Sequence, residues 1–188
     1  MSLERVLAVL LTLHMFGLCG DESTAVISSF VVSDMSQVPE KIDVGASRAT
    51  VVIFTSVICP MSLDYSGRIA KLAADYGPRN VRVLVLNSNR NESSEQVEEY
   101  RKVFKLGVPV YRDPNGQVAD MFHAFSTPTA VVLDRRGAVR YWGSIDNNRN
   151  PARATKQYLR QAIDALLAGK PIDLPRSRVL GCSIKSAS

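Results

Sequence analysis

The sequence predicts one mixed α/β domain, a central sheet sandwiched between helices. Three observations carry this. Thr50–Thr55 is a continuous β-branched and aromatic run, the pattern of a central strand covered on both faces. Strand-like and helix-like periodicities then alternate as far as Ala168, which is the order of parallel βαβ units. Finally Thr129–Asp134 and Ala138–Gly143, joined by Arg135-Arg136-Gly137, read as an antiparallel hairpin that completes the sheet.

Each element has a local justification. Ser29–Val32 reads as a short strand, and the turn-rich "SDMSQVPEKIDVG" after it as a hairpin. After the central strand, Pro60 suits the first position of a helix, where its missing N–H costs nothing. Leu63, Ile69, Leu72, Ala73 and Tyr76 recur at helical spacing, and Gly77-Pro78 stops the helix. Val81–Leu86 is a second buried strand, and "NSNRNESSE" a polar loop. Ser93 or Ser94 caps a helix reaching Gly107, with Val97, Tyr100, Val103, Phe104 and Leu106 apolar. "VPVYRD" is a short strand ended by the turn "DPNG", and Val118–Phe125 a short helix. Ala152–Ala168 is expected to be a long amphipathic helix, ended by Gly169 and Pro171. Tyr141 and Trp142 read as strand-packing residues, and Ser144–Asn150 as a loop whose Asp146 and Arg149 edge a cleft.

Length and composition exclude several classes. A chain of 188 residues, 46% apolar and 22% charged, is an ordinary globular mixture with enough length for one core. Its net charge is +5, and the only local concentration of basic residues, at Arg135, Arg136 and Arg140, reads as solvated surface, so nucleic acid is not an expected partner. No metal-ligand spacing exists. His14 and His123 stand apart from cysteines and carboxylates.

The first 22 residues have the character of a leader. Arg5 precedes the apolar run Val6–Leu13, which is short for a membrane span and fits the hydrophobic region of a secretory signal. Cys19 closes the apolar stretch before Gly20-Asp21-Glu22, as at a bacterial lipoprotein acylation site, although Phe16 and Leu18 are bulkier than that site prefers. The expectation is export to the periplasm or extracellular side. Two fates stand open for Cys19: lipidation with membrane attachment, or loss with a leader cut near Gly20. Either way Cys59 and Cys182 remain, an even pair in an exported chain.

Cys59 ends the central strand and opens a helix. Such a thiol meets the positive end of the helix dipole and unpaired backbone N–H groups. Both favour the thiolate and bring thiol pKa values from about 8.5 to about 3.5–7.5. The junction is therefore a way to make a nucleophilic sulfur.

"VVIFTSVICPMS" resembles the active-site strand and helix start of the thioredoxin superfamily, and "FSTPTAVVLDRRGAVRYWGSID" resembles its second signature. The resemblance covers about residues 26–170, and extends to exported redoxins related to the alkyl hydroperoxide reductase/thiol-specific antioxidant group. It implies a thioredoxin-like three-layer sandwich at 26–172, followed by a tail at 173–188. It also implies a cis proline at Pro128 facing the reactive cysteine, with Pro60, Thr127 and Pro128 forming the substrate side of the site. The activity implied is thiol–disulfide exchange with protein or small-molecule thiols and disulfides, without a cofactor, the electrons coming from a partner dithiol. The chain departs from the usual Cys-x-x-Cys: Ser62 stands where the second cysteine would be. Ser62 cannot resolve a mixed disulfide but can donate a hydrogen bond to the Cys59 thiolate. Cys182 is the internal candidate for resolution, folding back to Cys59 with Gly181 supplying backbone freedom. A permanent Cys59–Cys182 staple and an inert Cys59 stand as alternatives. A peroxiredoxin-like peroxidase is a second enzymatic expectation. Ser56 supplies that group's hydroxyl three residues before the cysteine, whereas Val52 occupies the place of its proline. A binding module without catalysis is the third.

Overall fold

The computed structural model describes residues 26–186. The leader and Cys19 lie outside the described residues. Strands β1 (Ser29–Ser33), β2 (Pro39–Asp43), β3 (Ala49–Thr55), β4 (Val81–Asn87), β5 (Val110–Arg112), β7 (Thr129–Asp134) and β8 (Val139–Gly143) form one sheet in the order β2-β1-β5-β4-β3-β7-β8. The β3, β4 and β5 strands run parallel, whereas β7 and β8 are antiparallel additions on the other side of β3. On the far edge β1 and β2 form the expected hairpin, closed by Asp34, whose carboxylate accepts from the Ser36 and Val38 amides.

Every residue of β3 is buried. Val51 and Ile53 face a core shared with helix α1 (Pro60–Tyr76), α2 (Ser94–Val103) and α4 (Tyr158–Leu167) through Ile69, Leu72, Tyr100, Leu159 and Ile163. Val52 and Phe54 face the opposite core with Phe30, Ile42 and the short helix α3 (Gln117–Met121). This is the continuous apolar run of a strand covered on both faces, and it makes three layers. Full burial of each of these large side chains stabilises the fold by about 1.5–3 kcal/mol before entropy is charged against it.

Three element readings need correction. The last helix begins at Tyr158 rather than Ala152. Asn150 caps a single 3-10 turn at Pro151–Arg153, and the Asn147 side chain accepts from the Thr155 and Lys156 amides, so those donors are satisfied outside a helix. The second helix ends at Val103, because Lys105 and Gly107 adopt left-handed backbone. Similarly α3 stops at Met121, and exposed His123 turns left-handed. Much of the polar loop "NSNRNESSE" is buried: Asn87, Ser88, Asn89 and Glu92 lie inside. They can be, since they satisfy one another and the chain behind Cys59.

The tail runs back over the domain. Its Pro175 and Ser177 exchange backbone hydrogen bonds with Trp142, and the Ser177 hydroxyl meets the Ser144 amide and the Tyr141 hydroxyl. It ends as β9 (Cys182–Ser183), pairing antiparallel with β6 (Ser126–Thr127). Ile184 packs against the second core.

Candidate functional site

The site forms where β3 hands over to α1. Cys59 is the N-cap of α1, in extended backbone, and Pro60 is the first helical residue, exposed. The Cys59 side chain is 1% exposed. Opposite it, the Thr127–Pro128 peptide is cis, Pro128 is buried, and the Thr127 carbonyl oxygen lies 3.4 Å from the Cys59 sulfur. The third wall is the tail. Cys182 sits opposite Thr127 in the β6–β9 pair, and its sulfur is 2.6 Å from that of Cys59. Both are free thiols, one buried and one exposed. The sulfurs thus stand within a fraction of an ångström of the roughly 2.05 Å of a disulfide bond.

The electrostatics divide the pair. Burial pushes the Cys59 thiol up, but hydrogen bonding with Cys182 and the backbone N–H at the helix start outweigh it, so Cys59 lies below its ordinary 9.0. Cys182 moves the other way, raised first by its hydrogen bond to Cys59 and then by burial and by the Cys59 charge. The two shifts run in opposite directions, so a proton is held more tightly on Cys182 than on Cys59. Ser62 contributes through its main chain, as expected of a helix N-terminus. Its hydroxyl, fully buried, accepts the Ser56 N–H at 3.3 Å.

Behind Cys59 lies a buried polar network that the sequence did not announce. Ser56 Oγ accepts the Cys59 amide at 3.1 Å and donates to Glu92 Oε1 at 2.5 Å. The other Glu92 oxygen accepts from the Val57 amide at 2.8 Å and from Asn87 Nδ2 at 2.6 Å. Arg112 closes the network on the Glu92 carbonyl oxygen at 2.6 Å and on the Asn87 side-chain oxygen. Glu92 is 1% exposed, so these donors substitute for its water shell. The loop before Cys59 is thereby pinned on its polar side. Glu92 lies in a stretch of Asn, Ser, Arg and Glu whose composition reads as surface, and nothing local marks it as buried.

Asp146 and Arg149 both line a cleft with Met61, Tyr65 and Tyr158, as expected. Asp146 is also an anchor: its side chain is fully buried, paired with Arg68 at 2.5 Å, and accepts the Tyr65 hydroxyl at 2.9 Å. Arg149 pairs with Asp64 at the surface. Gly181 has a different task from backbone freedom. Its backbone does not occupy the left-handed region, but a Cβ there would run into the Thr127 carbonyl. Among the described residues no group of side chains is arranged to hold a metal ion.

Comparison with known proteins identifies the family and the fold. The pattern of the AhpC/TSA family matches residues 16–142. Among solved structures, a hypothetical protein from Sinorhizobium meliloti 1021 is 28% identical with a TM-score of 0.78, over 88% of this chain and 94% of that one. An uncharacterized conserved protein from Geobacillus kaustophilus is 28% identical with a TM-score of 0.79, over 88% and 93%. A putative thiol:disulfide interchange protein DsbE from Chlorobium tepidum shares the fold at 19% identity and a TM-score of 0.62, over 76% and 95%. Curated proteins gave no match. The fold is the thioredoxin-like α/β sandwich.

Proposed function

The chain belongs to the AhpC/TSA family, and from that premise we propose that it is a thiol–disulfide oxidoreductase working outside the cytoplasm, with Cys59 as nucleophile and Cys182 as resolving thiol. The observation that carries this is the 2.6 Å approach of the two sulfurs, with burial and hydrogen bonds favouring charge on Cys59. Export rests on the leader-like first 22 residues, and an extracytoplasmic setting is where a persistent disulfide of this kind belongs.

The exchange balances as follows. The Cys59 thiolate attacks one sulfur of a substrate disulfide, forming a mixed disulfide and expelling the other sulfur as a thiolate that takes up a proton. The hydrogen bond to Cys59, the largest cause raising Cys182, is then lost, and the Cys59 charge with it. Cys182 gives that proton to solvent and attacks the Cys59 sulfur, expelling the second substrate thiolate. The chain now holds a Cys59–Cys182 disulfide, the substrate is reduced by two electrons, and an external dithiol restores the pair.

Peroxide reduction is the alternative within the family. Against it, the Ser56 hydroxyl is engaged by the Cys59 amide and Glu92, and Val52 is buried in the middle of β3. The deciding experiment supplies a dithiol reductant and compares insulin-type disulfide reduction with peroxide consumption, in the wild type, Cys59→Ser and Cys182→Ser. Disulfide turnover that needs both cysteines supports the proposal. Peroxide consumption without disulfide turnover replaces it with a peroxidase. Partner binding that survives in Cys59→Ser, with no turnover of either substrate by the wild type, replaces it with a binding module.

A further inference from the structure

The β6 edge beside the Thr127–Pro128 peptide holds an extended segment, and the segment seated there is the chain's own tail. Thr127 pairs with Cys182 and Ser126 with Ser183 in antiparallel register, and the Ile184 amide donates to the Phe125 carbonyl at 2.9 Å. The segment places the Cys182 sulfur 2.6 Å from that of Cys59. This is strand addition, in which main-chain hydrogen bonds supply hold and individual side-chain positions supply selection.

The tail meets the domain closely at two positions. Before the cysteine, a Cβ on Gly181 would overlap the Thr127 carbonyl oxygen and lie 2.7 Å from its carbon and 3.4 Å from the Pro128 nitrogen. These are backbone atoms of a buried loop and cannot swing aside as a side-chain tip would. Two residues after the cysteine, Ile184 packs on the second core. By contrast Leu180 and Ser183 are exposed, and Lys185 is held through its backbone, its N–H donating to Asn89 and its carbonyl accepting from the Arg90 amide.

We propose that this edge is a specificity site for extended segments with glycine immediately before the reacting cysteine and an apolar residue two places after it, and that the tail is the version of that ligand carried in cis. The inference rests on the thiol–disulfide reading above and names its substrate class: peptide disulfides of the form Gly-Cys-x-apolar. Such a substrate displaces the tail, pairs with Phe125–Thr127, and presents its sulfur to Cys59. Attack by the Cys59 thiolate forms the Cys59–peptide disulfide and releases the peptide's former partner as a thiolate. The tail then returns, bringing Cys182 back to that disulfide.

The test uses full-length Cys182→Ser, in which the Cys59–peptide disulfide persists. Two peptides, Leu-Gly-Cys-Ser-Ile-Lys and Leu-Ala-Cys-Ser-Ile-Lys, are each linked through cysteine to 5-thio-2-nitrobenzoate. Release of the yellow thiolate is timed, and the product on Cys59 is confirmed by mass mapping. The glycine peptide should react at least about tenfold faster, since the methyl group of alanine meets rigid backbone. Equal rates, or faster reaction of the alanine peptide, overturn the inference. So does failure of both peptides when the simple aromatic disulfide of the same reagent still reacts with Cys59. If that reagent also fails, the reactive-thiolate reading falls first. A second measurement is independent of added peptides. Gly181→Ala should unseat the tail, so that iodoacetamide reaches Cys59 faster and oxidation no longer closes Cys59 onto Cys182. Wild-type alkylation and closure in this variant contradict the inference.

Discussion

The Cys59 and Cys182 sulfurs stand 2.6 Å apart although 123 positions separate the residues in sequence. The first is 1% exposed at the head of a helix, and the second is exposed on a tail strand. A disulfide between them would cross-link the tail to the centre of the sheet. In the chain-entropy picture a loop of this size stabilises the fold by about 4–5 kcal/mol relative to the reduced chain. Urea denaturation of oxidised and reduced protein should show a later midpoint for the oxidised form, and Cys182→Ser should remove the difference.

Cys59 should alkylate as a thiolate below its ordinary 9.0, because hydrogen bonding with Cys182 and the helix-start backbone outweighs its burial. The sign for stability follows. A depressed folded pKa favours the ionised form in the fold, so the contribution is fully present above the unfolded thiol's pKa and is lost as pH falls through the folded value. Iodoacetamide rates on the reduced protein, measured against pH, should show a midpoint below 9.0 for Cys59 and a higher one for Cys182.

Glu92 is the buried carboxylate that fixes the loop before Cys59. Ser56→Ala removes one of its donors and also leaves the Cys59 amide without its acceptor. An unsatisfied buried group costs about 1–3 kcal/mol, so the expected change is a loss of that order in urea denaturation. If Ser56 is only a bystander, the midpoint should not move.

Arg68 pairs with one oxygen of the buried Asp146 carboxylate at 2.5 Å, while the Tyr65 hydroxyl and the Asn148 amide donate to the other. Arg68→Ala leaves buried Asp146 without its cation. Breaking a buried pair costs about 3–5 kcal/mol, and the partial exposure of Arg68 places the expected loss near the lower figure. Thermal unfolding of the variant checks it.

Alkaline pH should destabilise the fold. Burial, then the Asp146 hydrogen bond, push Tyr65 up to about 12, and burial pushes Tyr141 to about 12. Raised folded values favour the neutral phenol, so this stability is complete below the unfolded value of 10.0 and drains away as pH rises from there to about 12. Tyr65→Phe should flatten the fall in a pH series of urea midpoints between those limits.

Legibility in the sequence followed the range of the interactions. The β3 run, the Cys59-Pro60 junction and the β7–β8 hairpin are local patterns, and each stands where the periodicity put it. The start of α4 was misplaced because Asn147, several residues upstream, takes the amides of Thr155 and Lys156. Glu92 was hidden because a polar stretch looks solvated until its partners on β4 and β5 are known. Gly181 looked like a flexible joint. Its size matters because of the Thr127 carbonyl, more than fifty residues earlier in the chain, and no window of sequence contains both.

The most direct measurement is peptide mapping of the full-length protein after mild oxidation, with free thiols blocked, before and after reduction. The expected result is one linked pair joining the Cys59 and Cys182 peptides, lost on reduction and regained on reoxidation. Recovery of both cysteines as blocked free thiols under every oxidising condition would contradict the mechanism.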